Sequence, residues 1–328
     1  MTRPTKEMRE VMFKAAVGDD VYGDDPSVNR LQEIAAEMLG KEAALFCSSG
    51  TQANLLALMS HCERGDEYIV GQQAHTYRFE GGGGAVLGSI QPQPLDNQPD
   101  GSLDLEQVAQ AVKADDFHFA RTRLLCLENT FSGKVLPLDY LKKAKETADR
   151  LQLRFHLDGA RIFNAAVKLK IDVKAISTLF DSVSVCLSKT LGAPVGSVLC
   201  ADRELIAKAL KWRKMLGGGM RQAGIIAAAG SYALQNHIER LDEDHQNAQR
   251  LADALKEIEE LQILPGSGET NMVFFQMDPR KIDALAGFLR ERDILINARS
   301  PVRLVTHLDI SSKEIDTAVE GFKAFFSH

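Results

Sequence analysis

A lysine follows a short apolar segment in this sequence. Lys189 comes just after the β-branched run 183–187, which is too short for a stable helix and predicts a buried strand. Glycine and proline between 192 and 196 predict a tight reversal into a second strand at 197–200. An amine at such a position is partly removed from water, which favours the neutral nucleophile that forms Schiff bases. The alternative is a rim lysine whose ammonium group reaches into water.

An aspartate ends an earlier predicted strand. Strand alternation over 154–158 places His156 and Asp158 on one face, and a helix is predicted from about 162 to 169. About thirty residues separate Asp158 from Lys189, enough for a strand–helix–strand crossover that brings both to one edge of a sheet. In open α/β sheets ligands bind beyond the carboxyl ends of the strands. A buried salt bridge between the two side chains is the structural alternative.

A third feature is a turn suited to an anion. The predicted strand 43–47 passes through Ser49, Gly50 and Thr51 into a helix over 52–59. Such a turn leaves backbone N–H groups and the positive end of the helix pointing at one spot, which suits a phosphate. By itself this turn is also explained by ordinary N-terminal capping, which uses the same residues.

These features together predict pyridoxal 5'-phosphate as the cofactor. A lysine such as Lys189 holds its aldehyde, and a carboxylate such as Asp158 keeps its pyridine nitrogen protonated, so that the ring accepts electrons from the substrate. The helix N-terminus neutralises the phosphate. An imidazole such as His75 can stack on the ring. We expect no metal site.

The order of elements predicts an α/β fold with a mostly parallel sheet. The predicted domains are an N-terminal segment (1–30), a large cofactor-binding domain (31–245) and a small α+β domain (246–328). Residues 91–102 are predicted to form a connection, and Ser27 is the predicted cap of a helix that ends at Gly40. The small domain is predicted to contain helices at 252–261, 282–291 and from 313, and strands at 271–277, 294–297 and 302–306.

Composition excludes several classes of function. The 328 residues are 45% hydrophobic, with a net charge of -6 and both signs interspersed, so no nucleic-acid partner is indicated. No apolar run approaches the length of a membrane span, and no membrane partner is expected. The cysteines, 5 in number and without CxxC spacing, indicate reduced core residues of a cytoplasmic protein.

Several motifs resemble one enzyme family closely. In order, they are VGDDVYGDDP at 17–26, HLDGARIFN at 156–164, CLSK at 186–189, GGGMRQ at 217–222 and VRLVTH at 302–307. They are similar in order and spacing to the bacterial low-specificity L-threonine aldolases. The resemblance extends over almost the whole chain and implies the aspartate-aminotransferase-like (type I) fold of pyridoxal-phosphate enzymes, with a large domain and a small C-terminal domain.

The resemblance implies a role for each candidate residue. Lys189 bonds the cofactor aldehyde, Asp158 bonds the pyridine nitrogen, and His75 stacks on the ring. The other implied roles are phosphate binding by Gly50 and Thr51 beside Ser49 and by Arg221 of a neighbouring subunit. Arg161 lies near the cofactor's phenolic oxygen and the substrate carboxylate, Arg303 pairs with that carboxylate, and His118 lies near the substrate hydroxyl. The turn-rich loop 18–26 either is plain turn chemistry or places Tyr22 at the substrate.

The implied reaction is retro-aldol cleavage of L-threonine, L-allo-threonine and related β-hydroxy-α-amino acids to glycine and an aldehyde. His75, His118 and a bound water are candidates for the base. The alternatives are a β-eliminating lyase or racemase on the same fold, or an inactive cofactor-binding protein. If Arg221 acts across a subunit boundary the site needs at least a dimer, and the family is commonly a homotetramer.

The sequence departs from the family pattern in three places. Thr190 follows the lysine where glycine is common, and Phe131-Ser132 replaces a common His-Asn pair. The family usually has a further segment before the sequence that is Thr2-Arg3-Pro4 here, and that segment supplies a hydroxyl group to the substrate site. We therefore expect the chain to be shortened or mis-started relative to the family.

Overall fold

The computed structural model describes residues 2–327, which form two compact units. The first comprises 2–131 and 136–238, and the second comprises 132–135 and 239–327. Each unit has its own sheet. The domain limits read from the sequence stay predictions. Within the described residues no helix combines the length and the apolar character needed to cross a bilayer.

The first unit alternates strands with helices. Its strands are β1 (Ala43–Cys47), β2 (Glu67–Gly71), β3 (Gln91–Leu95), β4 (Thr122–Glu128), β5 (Arg154–Asp158), β6 (Ser182–Cys186) and β7 (Ser197–Ala201). Its helices are α1 (Lys6–Phe13), α2 (Pro26–Leu39), α3 (Gly50–His61), α4 (His75–Arg78), α5 (Gly83–Val86), α6 (Leu105–Ala111), α7 (Leu138–Arg150), α8 (Ile162–Leu169), α9 (Lys174–Ser177), α10 (Arg203–Met215) and α11 (Gly224–Asn236).

Among the described residues these strands form one seven-stranded sheet of order β1-β7-β6-β5-β4-β2-β3. Neighbours from β6 to β3 are parallel, whereas β7 runs antiparallel to both β6 and β1. The carboxyl ends of β1, β2, β4, β5 and β6 therefore lie at one edge, where ligands bind in open α/β sheets. The predicted α/β class with a mostly parallel sheet is confirmed.

Helix α3 crosses this sheet, packing on β5, β6 and β7. It begins where the Ser49 side chain accepts a hydrogen bond from the Gln52 backbone N–H at 3.1 Å, and it ends at His61. Its residues from Ala53 to Met59 are buried, including the polar Asn54. A helix that is buried nearly all round has apolar residues on most faces, so a polar residue within it needs a partner in the interior.

The second unit is a small α+β structure, as predicted. Its elements are α12 (Leu241–Leu255), β8 (Gln262–Ile263), β9 (Met272–Gln276), α13 (Ile282–Arg290), β10 (Val302–Val305) and α14 (Ser312–Phe326). The strands form an antiparallel sheet of order β10-β9-β8. Phe275 of β9 meets Phe322 of α14 edge to face at 5.8 Å between ring centroids.

Two predictions in the first unit are wrong. Residues 91–95 form strand β3 and not a connection. Proline is tolerated there because β3 is the outermost strand of the sheet. Pro92 and Pro94 alternate with residues whose backbones bond β2, so the missing N–H groups face away from the sheet. The cap of α2 is Asp25, not Ser27: the Asp25 carboxylate accepts from the backbone N–H groups of residues 27 and 28, each at 3.1 Å.

Two predictions in the second unit are also wrong. The helix expected at 252–261 is α12, which ends at Leu255 and is followed by turns. The strand expected at 294–297 has no regular structure. Ile294 and Ile296 pack in part against the apolar core, so their alternation reflects burial of an irregular segment.

Candidate active site

Lys189 lies in the loop that joins β6 to β7. The reversal is held by backbone hydrogen bonds from Leu187 N to Gly196 O and from Gly192 N to Lys189 O, each 3.0 Å long. The predicted turn between two strands is therefore confirmed. Lys189 is half-buried. Among the ion pairs of the described residues none joins Lys189 to Asp158, so the structural salt bridge is not formed.

The residue after the lysine is fixed from the side. The Thr190 Oγ1 hydroxyl donates to Asn164 Oδ1 at 2.8 Å, and both residues are buried. Asn164 belongs to α8, the helix that follows Asp158. This bond therefore connects the lysine loop to the helix that begins just beyond the aspartate.

Asp158 ends β5 with its carboxylate buried. One oxygen, Oδ1, accepts from the Ala160 backbone N–H at 3.1 Å. The other, Oδ2, accepts from Asn54 Nδ2 at 2.9 Å. Since each carboxylate oxygen can accept more than one hydrogen bond, both retain the capacity to accept another.

The turn after β1 reaches the same edge as the lysine loop. A Cβ added to Gly50 would lie 2.7 Å from the Cys186 sulfur at the end of β6, so only glycine fits there. Ser49 caps α3 through its hydroxyl, as ordinary capping predicts, while Ser49 and Thr51 are exposed. The free N–H groups of the first turn of α3 remain the part of this turn that suits an anion.

His75 is placed by two carboxylates. Its Nδ1 lies 2.8 Å from Glu80 Oε1, and its backbone N–H donates to Glu128 Oε2 at 2.8 Å. The hydrogen bond to Glu80 raises the pKa of His75, against the effect of burial. Burial raises the pKa of Glu80, and burial together with the negative charge of Asp158 raises the pKa of Glu128.

One ligand atom each of His75, Glu80 and Asp158 lies within 4.8 Å of the others, a spacing that could also hold a metal ion. Here, however, hydrogen-bond donors lie between the carboxylates: Asn54 Nδ2 donates to Glu80 Oε1 and to Asp158 Oδ2, each at 2.9 Å. We interpret the group as a hydrogen-bonded cluster. The absence of a metal site stays a prediction.

Two predicted residues meet each other on the surface. Arg221 forms an ion pair with Asp19, and its guanidinium carbon lies 5.8 Å from the centre of the Tyr22 ring. Both Tyr22 and Arg221 are exposed. The nearby Gly218 backbone approaches Gln52 in the first turn of α3 so closely that a Cβ on it would overlap the Gln52 amide. This loop therefore adjoins the anion turn.

The remaining candidates are placed separately. Arg161 directly precedes α8, at the same edge as Asp158. His118 is exposed in the loop that enters β4 and pairs with Asp116, so within one chain it lies at the opposite edge of the sheet. Arg303 belongs to the second unit, where it is exposed on β10 opposite Phe274. The roles of all candidate residues stay predictions.

Comparison with known proteins identifies the family. The family model described as beta-eliminating lyase matches residues 1–278. A low specificity L-threonine aldolase of Escherichia coli strain K12 is 55% identical over 100% of this chain and 97% of its own length.

The chain belongs to the beta-eliminating lyase family, among the low-specificity L-threonine aldolases.

More distant members of the threonine aldolase group agree with this. A low-specificity L-threonine aldolase 1 of Arabidopsis thaliana is 42% identical over 98% of this chain and 93% of its own length. The solved threonine aldolase of Leishmania major superposes with a TM-score of 0.84 at 20% identity, covering 99% of this chain and 97% of that chain. At that identity the likeness shows the fold, which is the predicted type I arrangement.

Sequence reasoning missed three residues of this aldolase site. Asn54, Glu80 and Glu128 all contact Asp158 or His75. Glu128 ends β4 directly opposite Asp158 in the strand register, so the pattern that identified Asp158 applies to it as well. Asn54 is a polar residue within an apolar helix, which is also a readable signal. Nothing local in the sequence distinguishes Glu80.

Proposed function

We propose that this protein catalyses the retro-aldol cleavage of L-threonine, L-allo-threonine and related β-hydroxy-α-amino acids to glycine and an aldehyde, with pyridoxal 5'-phosphate as its cofactor. It is thus an aldehyde-lyase. The proposal rests on the 55% identity over the whole chain to the Escherichia coli enzyme of that name. It is supported by Lys189, Asp158 and the turn at Gly50, which lie at one edge of the sheet.

The residues present fit that cofactor. Asp158 offers a buried carboxylate without an ion-pair partner among the described residues, as a protonated pyridine nitrogen requires. The Gly50 turn is closed to any Cβ yet lies at a helix N-terminus, which suits a phosphate. Lys189 is half-buried in a loop fixed by backbone hydrogen bonds.

When bound, pyridoxal phosphate supplies an electron-accepting ring for the substrate α-carbon. Lys189 would hold the cofactor covalently, Asp158 would bond the pyridine nitrogen, and Ser49, Gly50 and Thr51 would bind the phosphate. His75 would lie against the ring and either accept the β-hydroxyl proton or hold a water that does so. Arg161 and Arg303 would bind the substrate carboxylate, which a guanidinium can do through two parallel hydrogen bonds.

We further propose a homotetramer in which subunits share sites, located in the cytoplasm. His118 lies at the wrong edge of its own sheet to meet its own lysine, so it would serve a neighbouring subunit. Its neighbours Phe117 and Phe119 are 91% and 53% exposed, which is typical of an interface. The five cysteines are unpaired, which supports a reducing compartment.

The decisive experiment incubates the purified protein and cofactor with L-threonine and, separately, with L-serine. Retro-aldol cleavage gives acetaldehyde from threonine, whereas β-elimination gives pyruvate from serine. The serine reaction is included because the matching family model is described as beta-eliminating lyase. Borohydride reduction followed by peptide mapping is expected to find the cofactor on Lys189. Pyruvate without acetaldehyde, or a tag on another lysine, would contradict the proposal.

A further inference from the structure

Polar side chains line one face of two buried strands. His156 and Asp158 alternate along β5, and Ser182 and Ser184 alternate along β6. The register pairs His156 with Ser182 and Asp158 with Ser184. Because alternate residues of a strand share a face, all four side chains lie on the same side of the sheet. All four are buried.

Helix α3 places two further polar side chains on this face. Asn54 and His61 are seven positions apart, or about two helical turns, and so lie on the same side of the helix. Asn54 Oδ1 meets Ser184 Oγ at 2.6 Å and His156 Nε2 at 3.3 Å. His61 Nε2 meets Ser182 Oγ at 2.7 Å. We call Asn54, His156, Ser182 and Ser184, which are buried, together with the half-buried His61, the buried network.

The direction of each hydrogen bond in the buried network follows from Asn54. Its Nδ2 faces Asp158 Oδ2 and Glu80 Oε1, two carboxylate oxygens, so the amide cannot be flipped. Asn54 Oδ1 must therefore accept hydrogen bonds from His156 and Ser184. His156 then donates through Nε2, and its Nδ1 is free to accept the Ser182 hydroxyl proton at 2.7 Å.

The Ser182 hydroxyl in turn determines the tautomer of His61. Since the Ser182 proton points to His156, the Ser182 oxygen accepts from His61, whose proton must also be on Nε2. Both rings are neutral: burial lowers the pKa of His156 to about 4 and lowers the pKa of His61 well below its usual value. Every bond thus points from His61 towards Asp158.

We propose that Asn54 is a positioning residue for the Asp158 carboxylate, and that His156, Ser182 and His61 fix the orientation of the Asn54 amide from behind. The effect on the cofactor rests on the proposed function of Asp158. With Asn54 bonded to Oδ2 and Ala160 bonded to Oδ1, the carboxylate is held at a set angle, and each oxygen keeps the capacity to accept another donor. The pyridine nitrogen would be one such donor.

The first test reads the proton positions and is independent of catalysis. Magic-angle-spinning ¹⁵N NMR of the histidine-labelled holoenzyme is expected to show His156 and His61 as neutral rings protonated at Nε2 at pH 7. The variants His156→Gln and His61→Gln assign the two signals. A ring protonated at Nδ1, or one that is doubly protonated, would overturn the proposal even if threonine cleavage were confirmed.

The second test measures the dissociation constant of pyridoxal phosphate. Removing the donor in Asn54→Leu should weaken binding about tenfold or more. Asn54→Asp should weaken it further, because the new carboxylate repels the carboxylates of Asp158 and Glu80 and displaces them. His156→Leu should weaken binding about threefold, and His156→Gln, which keeps a donor at the Nε2 position, should restore it to within about twofold.

A matched serine separates positioning from plain packing. Ser177 is as buried as Ser182, and its hydroxyl donates to Leu39 O at 2.7 Å outside the buried network. Ser177→Ala should lower stability and leave cofactor binding unchanged, whereas Ser182→Ala should weaken it about twofold. Equal effects of the two serines, or unchanged binding in His156→Leu, would overturn the proposal. If the Asn54 variants do not fold, the two His156 variants and the NMR spectra still test the proposal.

Discussion

The buried and the exposed parts of the candidate site differ in how their polar groups are satisfied. Asn54 donates hydrogen bonds to both Asp158 and Glu80 within one unit. Tyr22 and His118 are instead exposed to solvent, and so are apolar side chains close to them in the sequence, such as Phe117. Within one chain the polar groups around Asp158 are therefore bonded, whereas Tyr22 and His118 face solvent. The homotetramer proposed above would cover these exposed residues.

The largest effect is expected from the buried side. Lys189→Ala should lower kcat for threonine cleavage about a thousandfold or more, because it removes the nucleophile that holds the cofactor. Kinetics with added cofactor measure this. Lys168→Ala, an exposed lysine on α8, is the control and should retain activity. A modest loss in Lys189→Ala would place the cofactor elsewhere.

The role of the exposed Arg221 is tested by co-expressing two variants that are each impaired. Arg221→Ala alone should lose about tenfold or more in activity, by loss of a charged contact with the phosphate. If Arg221 serves a neighbouring subunit, co-expression with Lys189→Ala creates hybrids that contain one intact site each. Activity should then rise above that of either variant alone. No gain in the hybrids would show that Arg221 acts within its own chain.

The Glu80–His75 pair should appear in the pH profile. Because the hydrogen bond to Glu80 raises the pKa of His75, Glu80→Gln should lower that pKa. If neutral His75 is needed, the acid limb of kcat/KM then moves to lower pH by about one unit or less. Asp116→Asn, which alters the exposed pair with His118, is the control. A shift towards higher pH would contradict the assignment.

The smallest effect concerns Thr190. Thr190→Val removes the hydroxyl that bonds Asn164 and should lower the free energy of unfolding by about 1–3 kcal/mol, since a buried acceptor loses its donor. Thr190→Ser keeps the hydroxyl and should lose less. Urea unfolding monitored by fluorescence measures both. Equal stability of the two variants would mean that the bond contributes nothing.

Much of this fold follows from local patterns. Helix α8 and strands β1 and β5 have the predicted bounds, because their apolar patterns and ends are clear. The placement of Lys189 and Asp158 at the same edge of the sheet follows from the crossover rule. The irregular segment 294–297 imitates a strand because its apolar residues alternate.

The rest of the site depends on distant pairings. Glu80 bonds Asn54 across 26 positions, and Asn54 bonds Asp158 across 104 positions. No local propensity encodes such contacts, which form only once α3 has packed on the sheet. The position of His118 at the edge of the sheet opposite Asp158 follows instead from strand direction, because His118 precedes β4 and β4 is parallel to β5.

Helix α3 holds the glycine of the anion turn at one end and both polar contacts of its inner face farther along. One residue inserted after Gly50 would rotate everything beyond it by about 100°. Asn54 would then take the place of Leu55 and His61 that of Cys62, both in an apolar cluster, and Ala53 would meet the carboxylates. The spacing along this helix is therefore as restrictive as the identity of any side chain on it, and length changes there should be tolerated far less than substitutions.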